Sequence, residues 1–228
     1  MTQKSSNKGM GAFRAKGIKL KTARGRTNSS QRWLSRQLND PFVQMAQKKG
    51  YRSRAAFKIQ EIQNKYRIIK PGQVVIDLGA APGGWTQALL EMMPSLTVIG
   101  IDLLEVEPIA GATFIQGDFL DEGMQRDLET MLKGKKADAV LSDMAASTTG
   151  HSQTDHIRTE MLADIAFHFA QQVLVEGGSF VAKVFNGGTH QALLDLLKKH
   201  FKVVKHFKPE SSRKESPELY VVCTGFRL

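Results

Sequence analysis

From Pro71 onward, short apolar runs alternate with longer amphipathic stretches, and this alternation restricts the possible fold more than any other feature of the chain. The runs at 73–78, 97–101, 112–116, 138–142, 178–184, 201–207 and 219–226 have strand composition, whereas 84–93, 121–132, 158–175 and 188–200 have helical spacing. Strands that alternate with crossover helices give a parallel sheet covered on both faces, so an α/β, Rossmann-like fold with a seven-stranded sheet is expected. Between the last two strands, the segment from Pro209 to Pro217 leaves no room for a helix, which predicts that the final strand pairs antiparallel. An open sheet of this kind binds its ligand outside the carboxyl ends of the strands, near the point where the strand order reverses.

Two lysines interrupt runs that otherwise read as core. Ser53 is a candidate N-cap for a helix over 54–66, and Ala55, Ile59, Ile62 and Tyr66 form its apolar stripe. Lys58 falls on that stripe, and Lys183 lies near the end of the strand Gly178-Ser-Phe-Val-Ala-Lys-Val-Phe185. An ammonium among apolar side chains is strongly disfavoured unless a carboxylate pairs with it or it gives up its proton, so this placement points to chemistry.

Charge is distributed very unevenly. Residues 1–39 hold ten Lys or Arg and no acid, and the rest of the chain holds 22 of each sign, so the net charge of +10 belongs entirely to that first segment. Residues 1–30 recur in Gly, Ser and Lys without apolar period and read as a basic flexible arm, followed by one domain over 31–228. A cationic arm on a near-neutral domain suits a polyanion, because neutralised phosphates release counterions. The single cysteine, Cys223, sits in an apolar run, which excludes intramolecular disulfides and cysteine-based zinc clusters. No apolar stretch is long enough to span a membrane and the start of the chain has no secretory h-region, so a cytoplasmic protein is expected.

The segment Val74-Val-Ile-Asp-Leu-Gly-Ala-Ala-Pro-Gly-Gly-Trp-Thr86 reads as a buried strand, a glycine-rich turn and the start of a helix. Gly79, Gly83 and Gly84 let backbone approach a ligand, but the spacing departs from a dinucleotide fingerprint and Pro82 interrupts it. Asp77 beside this loop suits a cationic or amine-bearing ligand and would repel a pyrophosphate. Asp102 ends the second strand, where acids accept ribose hydroxyls, and Asp118 ends the third, where it could read an exocyclic amine. Adenosine carrying a cationic, amine-bearing substituent describes S-adenosylmethionine. At the next strand end, Ser142-Asp-Met144 lacks the Pro-Pro-aromatic element of base aminomethyltransferases. It supplies Asp143, alongside Lys183, Lys58 and Glu218. A hydroxyl nucleophile needs a base, and neighbouring ammonium groups destabilise each other's charge, which equips a lysine pair for that task. Such groups titrate together, so the proton is not assigned to one of them on this argument.

The run Gly50-Tyr-Arg-Ser-Arg-Ala-Ala-Phe-Lys-Ile-Gln-Glu-Ile62, the loop Asp77-Leu-Gly-Ala-Ala-Pro-Gly-Gly-Trp85, Ser142-Asp-Met144, Ala182-Lys-Val184 and Ser212-Arg-Lys-Glu-Ser-Pro-Glu-Leu-Tyr220 together strongly resemble the FtsJ (RrmJ) family of ribosomal RNA ribose 2'-O-methyltransferases. The likeness covers residues 30–228 in compatible order and spacing. It implies the Rossmann-like S-adenosylmethionine-dependent methyltransferase fold and a K-D-K-E tetrad formed by Lys58, Asp143, Lys183 and Glu218, with Lys183 as proton acceptor. It also implies cofactor contacts from Gly83, Trp85, Asp102, Asp118 and Asp143. With the loop and strand-end neighbours, the expected cofactor set comprises Asp77, Gly79, Pro82, Gly83, Gly84 and Trp85, then Asp102 with Leu103, Asp118 with Phe119, and Asp143. The substrate implied is a uridine ribose in 23S rRNA of the large ribosomal subunit, modified on the assembled subunit. Separately, nothing in the sequence calls for an obligate partner chain or a metal, so a monomer without a metal is expected. The basic arm is longer than is common in the family.

RNA is expected to meet the arm and Lys48, Lys49, Arg52 and Arg54; Trp33 and Phe42 are candidates for docking the arm on the domain, with base stacking as the alternative. The polar stretch 146–157 is expected to be a loop able to close over substrate, with His151 and His156 as solvated or hydrogen-bonding residues. Competing expectations are a ribose methyltransferase for tRNA or an mRNA cap, a nicotinamide-dependent oxidoreductase, and a noncatalytic RNA-binding ribosome-assembly factor. The broken fingerprint and the lysine pair disfavour the oxidoreductase; the complete tetrad disfavours the assembly factor.

Overall fold

The computed structural model describes residues 28–146, 150–185 and 189–228. The chain forms two compact units, Met1–Gln44 and Met45–Leu228. In the first lies helix α1 (Asn28–Asn39), and α2 (Pro41–Lys49) begins there. Asp40 and Pro41 explain the start of α2: the Asp40 carboxylate accepts from the Phe42 amide at 3.0 Å, and proline at the first helical position has no amide to leave unpaired.

The second unit is a seven-stranded sheet flanked by helices. Its strands are β1 (Val74–Leu78), β2 (Thr97–Asp102), β3 (Ala112–Gln116), β4 (Ala137–Ser142), β5 (Leu174–Phe185), β6 (Phe201–Phe207) and β7 (Glu218–Phe226). The helices are α3 (Ala55–Tyr66), α4 (Gly84–Met92), α5 (Glu122–Met131), α6 (Ser152–Val173) and α7 (Gln191–His200). Strand order is β3-β2-β1-β4-β5-β7-β6. All neighbours are parallel except β7, which inserts antiparallel between β5 and β6. The apolar residues of β1 and β4 are almost wholly buried, as strands covered on both faces require. Helices α5, α6 and α7 pack on this sheet through Leu128, Phe167, Ala170 and Leu197, each fully buried.

Register decides where function can reside. Asp77 of β1 is beside Gly100 of β2 and Leu141 of β4, and Ser142 is beside Ala182. Because β7 runs the other way, its first residues lie at the carboxyl ends of the parallel strands: Phe185 pairs with Glu218 and Lys183 with Tyr220. The fold therefore gathers at one sheet edge residues that are far apart in sequence.

Three local expectations are corrected. Ser53 does not cap α3; Arg54 occupies the cap position without a side-chain cap bond, and the Ser53 hydroxyl is buried against Gly84. Helix α6 starts at Ser152, six residues before the expected 158, so the second half of the polar stretch, Ser152 to Ile157, is helix. Its polarity reflects an exposed face, and the His156 ring there pairs with Glu160 one turn on at 3.1 Å. Strand β5 starts at Leu174 because the Glu176-Gly177-Gly178 turn signal is absorbed by a register shift in the β4–β5 pairing. The expected flexible arm lies outside the described residues up to position 27, as do 147–149 of the expected closing loop.

Candidate active site

Lys58, Asp143, Lys183 and Glu218 converge on one another. Helix α3 carries Lys58 on its buried face, and its Nζ lies 2.7 Å from Glu218 Oε1. Asp143 follows β4, where its amide donates to Leu78 O at 3.0 Å. From β5, Lys183 Nζ donates to the Asp143 carbonyl at 2.6 Å and to Asp143 Oδ1 at 3.1 Å. Tyr220 joins the two halves: its hydroxyl donates to Asp143 Oδ1 at 2.7 Å and accepts from Lys58 Nζ at 3.2 Å. Ser212 Oγ donates to Glu218 Oε1 at 2.8 Å. Both lysines thus have a carboxylate partner, which answers the cost of placing an ammonium among core residues.

Electrostatics follow from burial and pairing. Burial opposes ionisation of Asp143, but Lys183, Lys58 and the hydrogen bonds from Tyr220 and Lys183 outweigh it and hold the carboxyl below its ordinary range. Tyr220 is held well above the usual phenol range, by burial first and then by the charges of Asp143 and Glu218, so it remains a donor. Sequence reasoning missed Tyr220, because a tyrosine in an apolar strand reads as core. The available signal was its spacing of two from Glu218, which puts both on one face of β7.

Beside this network lies a cavity of about 550 Å³ over the carboxyl ends of β1–β4. Of the residues expected to contact cofactor, Gly79, Asp102, Leu103, Asp118 and Phe119 line it, and Met144, next to Asp143, forms part of its wall. Asp102 and Asp118 each also organise their own turn, accepting from the Leu104 and Leu120 amides at 2.9 Å. Asp102 Oδ2 further accepts from Ala81 in the glycine loop at 2.9 Å. Gly79 has φ +80°, and a Cβ there would stand 2.9 Å from Met144 N, so only glycine fits between the loop and this wall.

The remaining expected contacts, Asp77, Pro82, Gly83, Gly84, Trp85 and Asp143, do not line this cavity. Pro82 follows a cis peptide and is exposed. Trp85 is 3% exposed, with its ring 5.5 Å from that of Tyr220 and its Nε1 buried without a partner. Asp77 is fully buried; Thr86 Oγ1 donates to Oδ2 at 2.7 Å, while Oδ1 has no partner. Burial pushes its carboxyl up to about 7, with Asp143 and Asp102 adding repulsion.

An unpartnered buried carboxylate oxygen, acids at two strand ends and a mostly apolar cavity fit an adenosine whose substituent is cationic. Among the described residues, no group of three or more His, Cys, Asp and Glu side chains could hold a metal ion.

Arg52 and Arg54 were expected at phosphates, but their guanidinium groups engage the protein's own carbonyls. Arg52 donates to Glu107 O at 2.7 Å, Pro108 O at 2.9 Å and Pro82 O at 3.2 Å. Arg54 donates to Ser211 O. Lys48 and Lys49 are exposed at the end of α2. Among aromatic platforms, Phe42 is part-buried and the Trp33 side chain lies outside the described residues.

The model of the FtsJ-like methyltransferases matches residues 51–226. The chain belongs to this family. It is accordingly a methyltransferase that uses S-adenosylmethionine, and the sheet described above is the methyltransferase form of the Rossmann-like fold. A relative from Parvibaculum lavamentivorans, named ribosomal RNA large subunit methyltransferase E, is 53% identical over 98% of this chain and 92% of its own length. One of the same name from Gluconobacter oxydans is 57% identical over 94% of this chain and 79% of its own. Among solved structures, a Plasmodium falciparum protein assigned as a ribosomal RNA methyltransferase superposes with TM-score 0.70 at 34% identity, covering 77% of this chain and 98% of that one. MycE methyltransferase from the mycinamycin pathway shares the fold, with TM-score 0.51 at 14% identity over 73% of this chain and 49% of that one.

Proposed function

We propose that this FtsJ-family enzyme methylates the 2'-hydroxyl of a uridine ribose in 23S rRNA of the large ribosomal subunit. The observation that carries the reading is the unbroken chain of contacts Glu218–Lys58–Tyr220–Asp143–Lys183 beside the cofactor cavity. A base-modifying enzyme has no use for two paired lysines, whereas a weakly acidic ribose hydroxyl needs a proton acceptor and an anion stabiliser. The near-full-length likeness to proteins named ribosomal RNA large subunit methyltransferase E supports the substrate.

When bound, S-adenosylmethionine supplies an electrophilic methyl group on a sulfonium. Lys183 is the proton acceptor in this reading, its Nζ held in place by the carbonyl and Oδ1 of Asp143. Lys58, paired with Glu218, stabilises charge developing on the ribose oxygen. Asp143 and Tyr220 fix the spacing of the lysines, and much of the rate comes from that fixed alignment.

The basic arm over residues 1–30, joined to the domain over 31–228, adds affinity for rRNA without reading sequence. The enzyme acts as a cytoplasmic monomer without a metal; among the described residues no helix is long and apolar enough to cross a membrane. Mapping 2'-O-methylation of rRNA on large subunits from cells with and without the protein tests the proposal. A uridine ribose methylated only with the protein is expected, and an unchanged rRNA map alongside methylated tRNA would redirect it.

A further inference from the structure

We propose that Arg52 is a positioning residue for the cofactor, clamping together the two loops that flank its site. The inference rests on the reading that the loop after β1 carries S-adenosylmethionine, and it assigns a role to a side chain that charge alone would send to RNA. One planar guanidinium bridges the loop after β1, through Pro82 O at 3.2 Å, and the connection after β2, through Glu107 O at 2.7 Å and Pro108 O at 2.9 Å. The second connection leaves the sheet at Asp102 and Leu103, which line the cavity, and the first begins at Gly79, which lines it from the other loop.

Arg52 is itself fixed. Its amide donates to Gln87 Oε1 at 2.9 Å, and Gln87 Nε2 donates to Gly50 O at 2.9 Å, so α4 holds this segment on both sides of Tyr51. Gly83 completes the fit. Its φ is +101°, and a Cβ there would stand 3.0 Å from Arg52 Nη1 and 3.0 Å from Ile109 Cδ1. Gly83 thus makes room for the guanidinium as well as for the turn. Lysine cannot substitute, because one ammonium on a flexible stem lacks the fork that spans three carbonyls.

Measuring cofactor affinity without RNA separates this role from phosphate contact. Calorimetry on the full chain with Arg52→Lys and Arg52→Met is expected to show S-adenosylmethionine bound about tenfold or more weakly in both. KM for the cofactor should rise more than kcat falls, and retained charge in Arg52→Lys should give little rescue. The salt dependence of rRNA binding should keep its slope in Arg52→Met, whereas loss of a phosphate contact lowers it by about one. Wild-type cofactor affinity in Arg52→Met, or a lowered slope with normal cofactor affinity, overturns the clamp. Should Arg52→Met fail to fold by circular dichroism, Gln87→Ala carries the test: weakened cofactor binding supports the clamp and wild-type affinity overturns it. A wild-type chain that binds no S-adenosylmethionine would instead overturn the underlying reading.

Discussion

Replacing Asp77 with Asn should change stability in a way that depends on pH. Burial raises its carboxyl from 3.8 to about 7. That difference corresponds to about 4 kcal/mol of folding stability lost once the group is fully ionised. The folded-state value lies above the unfolded one, so the folded chain binds the proton more tightly. The penalty is absent below 3.8, grows as pH rises towards about 7 and is complete above it. Asp143 has the opposite sign, contributing stability that is lost as pH falls, but it is present in both proteins and largely cancels in the comparison. Asn keeps an acceptor for Thr86 and leaves an unpaired amide, an offset of about 1–3 kcal/mol that does not vary with pH. Urea unfolding of Asp77→Asn and wild type between about pH 5 and 8 should therefore show the variant gaining about 2–3 kcal/mol relative to wild type. Wild-type affinity for the cationic cofactor should rise over the same range, and that rise should be missing in the variant. A stability difference that stays flat with pH would refute the reasoning.

Three further outcomes are expected. Tyr220→Phe removes both the donor to Asp143 and the acceptor for Lys58, so turnover should fall about tenfold and stability by about 1–2 kcal/mol, measured by methyl transfer and urea unfolding; unchanged turnover would make the hydroxyl a spectator. Gly79→Ala places a methyl against the Met144 backbone at positive φ and should cost about 1–3 kcal/mol while weakening cofactor binding by calorimetry. Glu61→Ala frees the amides of Glu210 and Ser211, which its carboxylate accepts at 2.6 and 2.9 Å, so limited proteolysis should accelerate between Pro209 and Pro217; wild-type protection would contradict this.

Much of the sheet was legible because its strands are short apolar runs with clear breaks. Expected strands 112–116 and 201–207 coincide with β3 and β6. The start of α6 was not legible, since its first turns lack an apolar stripe and their exposed polar residues match loop composition. Lys58 and Lys183 stood out by the mismatch between charge and surroundings, Asp143 and Glu218 by their places at the ends of expected strands, and the resemblance grouped the four as a tetrad. Tyr220 had no such mismatch, because its role comes from β7 running antiparallel beside Lys183. The internal partners of Arg52 and Arg54 were not legible for a related reason. A guanidinium in a basic segment looks like a phosphate ligand, and only tertiary contacts reveal the carbonyls it serves.

Single-turnover methyl transfer to large ribosomal subunits by Lys58→Ala, Lys183→Ala and the double variant, with cofactor affinity measured in parallel, tests the central claim most directly. If the two lysines form one unit through Tyr220 and Asp143, each single variant should lose at least about a thousandfold and the double variant scarcely more, with cofactor affinity retained. Substantial turnover in either single variant, or losses that multiply in the double, would contradict it.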